Sequence, residues 1–83
     1  MYKILFSKES EDYFNKLDNS IKKRVGKKIE MLKENPHIGI PLTANLAGFW
    51  KLRIGDYRII YQIKDAELLI FVIKIGHRKN IYK

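Results

Sequence analysis

"KLRIGDYRIIYQIK", residues 51–64, decides the fold. Two runs rich in β-branched and aromatic residues, separated by Gly55-Asp56, read as a β-hairpin with a two-residue turn, and so short a turn fixes the register of both strands. Ile54 then faces Tyr57, Arg53 faces Arg58, Leu52 faces Ile59, Lys51 faces Ile60 and Trp50 faces Tyr61. Side chains alternate between the two faces of a strand. Trp50, Leu52, Ile54, Tyr57, Ile59, Tyr61 and Ile63 therefore share one face, with the composition of a core, while Lys51, Arg53 and Arg58 share the other. Like charges directly opposite one another cost up to roughly 1 kcal/mol per pair, and the surrounding Phe49, Ile60 and Gln62 supply no carboxylate. The missing partner is an anion from outside.

Working outward, "YKILFS" reads as a short apolar strand. Ser7 can cap a first helix, with Glu9, Glu11 and Asp12 favourably placed against its dipole and Tyr13, Phe14 and Leu17 forming its apolar stripe. A second cap falls around Asp18, Asn19 and Ser20, and Ile21, Val25, Ile29 and Leu32 recur at helical spacing until Pro36 ends the helix near Asn35. Residues 36–46 read as a loop leading into the hairpin. After a turn at about Asp65-Ala66, "ELLIFVIKI" reads as a covered strand, apolar on both faces. Strict alternation places Leu69, Phe71, Ile73 and Ile75 on the cationic face. The order is β-α-α-β-β-β, an α+β domain of residues 1–83 with two N-terminal helices packed on one face of a mainly antiparallel sheet.

Composition narrows the function classes. A chain of 83 residues without cysteine offers neither a disulfide framework nor a thiolate nucleophile or metal site. No apolar run approaches the ~20 residues that span a bilayer, and acidic residues interrupt the N-terminus too early for a signal peptide, so the expected compartment is the cytoplasm. With 17 Lys and Arg against 9 Asp and Glu, the formal charge is +8. Polyanions are the expected partners, nucleic acid first. Lys22, Lys23, Lys27 and Lys28 of "IKKRVGKK" form either a solvated helix face or a sequence-blind contact to RNA phosphates, with Lys79 a further basic contact.

The closing "KIGHRKNIYK", residues 74–83, turns back toward the hairpin turn, and is expected to bring His77 and Arg78 toward Arg53 and Arg58. Such a patch combines guanidinium groups for bidentate phosphate binding, an ammonium, an imidazole and, in Tyr82, a phenol that either stacks on a base or covers Phe71 and Ile73. Transfer from a 2′-hydroxyl to its own phosphate needs alignment, a base, charge stabilisation and a proton for the departing oxygen. His77 is the candidate acid or base of the patch. Asp56, Asp65 and Glu67 occupy turns, so no paired-carboxylate metal site is legible and no metal or cofactor is expected.

The element order, "WKLRIGDYRIIY" and the closing "IGHRxxIY" together resemble the toxins of the RelE/ParE superfamily over essentially the whole chain. Resemblance to the RelE branch implies a ribosome-dependent messenger-RNA endonuclease that inhibits translation and is held inactive by a cognate RelB-like antitoxin, acidic and folding on binding. It implies roles for Lys51 and Arg53 in activating the attack and stabilising the phosphate, for Arg58 in phosphate stabilisation, for Arg78 at the leaving group and for Tyr82 in orienting the nucleotide. His77 stands where relatives carry a basic residue or histidine. The alternative within the superfamily is a ParE-like, non-catalytic inhibitor of DNA gyrase, a branch that lacks most of these cations.

Overall fold

The computed structural model describes residues 1–77. Its elements are β1 (Lys3–Phe6), α1 (Lys8–Asn15), α2 (Asn19–Glu34), β2 (Ile40–Pro41), β3 (Trp50–Ile54), β4 (Tyr57–Lys64) and β5 (Leu69–His77). The five strands form one sheet in the order β1-β5-β4-β3-β2, with β1 parallel to β5 and the other pairs antiparallel. The architecture is the expected α+β arrangement.

The hairpin register is the one that the turn dictates, from Ile54 opposite Tyr57 to Trp50 opposite Tyr61. Gly55 supplies the positive φ of 58° that this turn needs. Val25, Ile29 and Leu32 of α2 pack on Leu52, Ile54, Ile59, Tyr61, Ile70, Val72 and Ile75, and Tyr13, Phe14 and Leu17 add the edge of the same cluster. Both helices therefore cover one face of the sheet. At the start of α1, Ser7 Oγ accepts from Ser10 N at 3.1 Å, as its position suggested. Asp18 stands at the N-cap of α2 but its side chain makes no capping bond. Asn35 closes that helix before Pro36, and its side-chain oxygen accepts from His37 N at 3.2 Å to start a 3-10 turn.

Two details depart from expectation. The stretch expected to be a plain loop contains β2, which pairs Ile40 with Lys51 and Pro41 with Trp50 and adds an edge strand. Gly39 makes this approach possible: a Cβ there would lie 2.5 Å from Tyr61 Oη and 2.6 Å from the Lys51 carbonyl oxygen. Proline is tolerated at an edge because no inner neighbour needs its missing N–H.

The second departure is a β-bulge. Ile60 pairs with Lys74 but the next residue, Tyr61, pairs with Val72, so β5 carries one extra residue, Ile73, against β4. The insertion flips the alternation of everything after it. Leu69 and Phe71 stay on the face away from the helices, as expected, whereas Ile75 pairs with Ile59 and enters the core, only 3% exposed. Strand β1 ends opposite Val72, and the first turn of α1 takes over that edge: Ser7 N donates to Val72 O at 2.9 Å, Ser7 Oγ to Ile73 O at 2.7 Å and Ser10 Oγ to Val72 O at 2.9 Å.

Candidate nucleic-acid interface

On the face turned away from the helices, register partners line up in rows across the strands. One row runs Ile40, Lys51, Ile60 and Lys74 over β2, β3, β4 and β5; the next runs Arg53, Arg58 and Gly76. Neighbouring strands lie about 4.8 Å apart and rows two residues apart about 6.7 Å, so four cations surround one apolar floor residue. That residue, Ile60, is only 8% exposed although it lies outside the helix-covered core. Gly76 leaves the place beside Arg58 without a side chain.

The cations are held differently. Lys51 is half-buried, its neighbours in the row being Ile40 and Ile60. Arg53 is exposed. Among the described residues the ion pairs Lys8–Asp12, Glu30–Lys33 and Glu9–Lys74 leave both Lys51 and Arg53 out. Arg58 is half-buried and turns its Nη1 toward the hairpin turn, donating to Gly55 O at 3.3 Å and Tyr57 O at 3.2 Å. Those bonds fix one end of the guanidinium. On the other side of the turn, Arg24 Nη2 of α2 would lie 2.8 Å from a Cβ at Gly55, so guanidinium groups sit on both sides of the hairpin tip.

Lys51, Arg53 and Arg58 thus come together as expected. His77 does not join them. It pairs with Tyr57, whose ring it meets edge-on at 5.5 Å between centroids, and Tyr57 in turn pairs with Ile54 of the core. Alternation puts His77 at the margin of the helix-covered face and Gly76 beside Arg58. Lys22, Lys23, Lys27 and Lys28 belong to α2, which packs on the opposite face of the sheet from Arg53 and Arg58. Lys22 also places its Nζ 5.9 Å from the Phe14 ring centroid and donates to Asn15 O at 3.2 Å. Arg78, Lys79 and Tyr82 lie outside the described residues.

Lys74 is the cation that strict alternation misses. Counting by two along "FVIKIG" assigns it to the core face, and the bulge returns it to the row of Lys51. The signal was present: a lysine at a nominal core position of an apolar strand marks a place where the period of two breaks.

Beneath the face, Tyr61 is fully buried and donates from Oη to Pro36 O at 2.7 Å, and burial pushes its pKa up to about 12. It is a neutral strut joining β4 to the Pro36–Ile38 turn. Trp50 stacks on it at 6.4 Å, and His37 meets Trp50 edge-on at 5.2 Å. At the far end Tyr2 donates to Asp65, a hydrogen bond that raises the phenol's pKa. No group of three or more His, Asp or Glu side chains that could hold a metal ion occurs among the described residues, and none of their helices is long and apolar enough to cross a membrane.

The family model of the ParE toxin of type II toxin-antitoxin systems matches residues 4–82. The toxin YoeB of Synechocystis is 35% identical over 93% of this chain and 99% of its own. The mRNA interferase toxin RelE of Escherichia coli is 28% identical over 95% of this chain and 85% of its own. Among solved structures, a chain of the toxin-antitoxin complex RelBE2 from Mycobacterium tuberculosis superposes with a TM-score of 0.84 at 29% identity, covering 93% of this chain and 98% of that one.

Proposed function

This chain belongs to the RelE/ParE superfamily of toxins from type II toxin-antitoxin systems, and from its cationic sheet face we propose that it is a ribosome-dependent messenger-RNA endonuclease. The observation that carries the reading is the direct pairing of Arg53 with Arg58, flanked by Lys51 and followed across the sheet by Gly76. A fold gains nothing from opposing guanidinium groups. A phosphate that enters between them turns a local cost into paired, charge-assisted hydrogen bonds.

In the proposed reaction the 2′-oxygen of one nucleotide forms a bond to the adjacent phosphorus and the bond from phosphorus to the 5′-oxygen breaks. The products are a 2′,3′-cyclic phosphate and a 5′-hydroxyl, with one proton passing from the 2′-hydroxyl to the departing oxygen. Arg53 and Arg58 stabilise the charge that builds on the phosphorane, and the tether of Arg58 to the turn carbonyls preorganises it for that task. Lys51 sits beside them to activate the attack. Arg78 at the leaving group and Tyr82 against the base complete the reading by resemblance; His77, on the other face, is given no step. The chemistry proposed for these residues uses fixed positive charge and no metal or cofactor. The partners are translated messenger on the ribosome, in the cytoplasm, and a RelB-like acidic antitoxin whose carboxylates occupy the face in place of phosphate.

The test is a reconstituted translation reaction read by primer extension. The wild type cleaves the translated messenger and Arg58→Ala, folded by circular dichroism, does not. An intact messenger with the wild type, together with inhibition of gyrase supercoiling by the same protein, would replace this reading with the ParE one.

A further inference from the structure

Lys74 has no part in the roles that the resemblance carries over, yet the fold goes to some length to place it. The bulge at Ile73 exists against two hydrogen-bonded serines: Ser7 Oγ holds Ile73 O and Ser10 Oγ holds Val72 O. Ser10 is fully buried and its hydroxyl is satisfied, so this anchorage is a structural fixture. Its effect on the surface is to put Lys74 in the row of Lys51, with Ile60 between them. Two strand spacings separate the two lysines, about 10 Å. That distance suits contact with two different phosphates of one extended strand better than a shared grip on one.

The carboxylate nearest the lysine among the ion pairs described comes from α1. Glu9 Oε2 lies 3.9 Å from Lys74 Nζ, with the Glu9 side chain 69% exposed and that of Lys74 31% exposed. A long, open contact of this kind contributes little to stability. Such a contact can be displaced by a phosphate, which offers more acceptor oxygens.

We infer that Lys74 is a fourth phosphate-binding cation of the sheet face, contacting a phosphate next to the one held by Arg53 and Arg58, and that Glu9 is its internal, displaceable counterion. This rests on the reading of the face as an RNA site. Lys74 grips the strand and takes no part in bond making or breaking. Its removal therefore weakens binding and leaves the chemical step alone, and removal of Glu9 strengthens binding by deleting a competitor.

The experiment is fluorescence anisotropy with a fluorescein-labelled, 2′-O-methylated oligouridylate, which binds but cannot be cleaved, at salt concentrations between about 50 and 200 mM. Lys74→Gln lowers the slope of log affinity against log salt by about 0.7, the contribution of one phosphate contact on a single strand. Lys74→Arg keeps the wild-type slope, and Glu9→Gln binds roughly threefold tighter at the lowest salt. In translation-coupled cleavage Lys74→Gln raises KM and leaves kcat unchanged. A wild-type slope in Lys74→Gln, beside normal cleavage by the wild type, overturns the assignment of Lys74. Weaker or unchanged binding by Glu9→Gln overturns the role of Glu9. Failure of the wild type to cleave would instead strike the nuclease reading and leaves the slope to judge Lys74 by itself.

Discussion

Arg53 and Arg58 show how far a single pair of residues can carry a functional argument. Their opposition follows from a two-residue turn and the alternation of side chains, with no family knowledge needed. Because it is a cost in the free protein, Arg53→Thr, which puts a β-branched residue on an exposed strand position, gains roughly 0.5 kcal/mol in urea unfolding at low salt while abolishing cleavage. The gain shrinks in 1 M salt, where the screening length falls to about 3 Å. Tyr61 gives the opposite kind of test. Tyr61→Phe leaves the Pro36 carbonyl without its partner and costs about 1–3 kcal/mol at neutral pH. The folded protein holds Tyr61 neutral up to about 12, above its ordinary 10.0, so its contribution is complete below pH 10 and fades as the pH rises toward 12. The stability difference between wild type and Tyr61→Phe, followed by urea unfolding across that range, therefore narrows. At Gly39 the constraint is steric. Gly39→Ala drives a methyl into Tyr61 Oη and the Lys51 backbone, costing about 1–3 kcal/mol in chemical denaturation, as overpacking does elsewhere.

At the scale of elements, what was legible depended on whether the determinant was local. The hairpin, the Ser7 cap, the two helices and the stop at Pro36 all follow from residues within a few positions of each other. The bulge in β5 does not. It is set by Ser7 and Ser10, more than 60 positions away in the chain, which claim the carbonyls of Val72 and Ile73. Alternation counted along β5 alone therefore misplaces Ile75, and with it Lys74 and His77, while it places Leu69 and Phe71 correctly. Strand β2 escaped for a related reason: two residues carry no period, and their pairing depends on the missing side chain of Gly39. Ser10→Ala removes the buried donor to Val72 O and costs about 1–2 kcal/mol in thermal or chemical unfolding. Its more telling effect is on register: hydrogen exchange at the amides of β5 rises around the bulge and stays low at Ile70.

For the whole molecule, the division of labour between the two faces of one sheet explains the fold and the function together. Helices α1 and α2 bury one face. The other carries Lys51, Arg53, Arg58 and Lys74 around Ile60. The same separation removes Lys22, Lys23, Lys27 and Lys28 from the candidate site; their contact with RNA, if phosphate-driven, is a distinct surface on the helical side. On the proposed reading, RNA is taken by the sheet. The most direct measurement is a heteronuclear NMR titration of the protein with the non-cleavable oligouridylate, following backbone amides and arginine Nε–H groups. Shifts are expected to concentrate at Lys51, Arg53, Arg58, Lys74 and Gly76, with the α2 amides from Lys22 to Lys28 nearly still. Shifts confined to α2, with Arg53 and Arg58 unmoved, would contradict that reading.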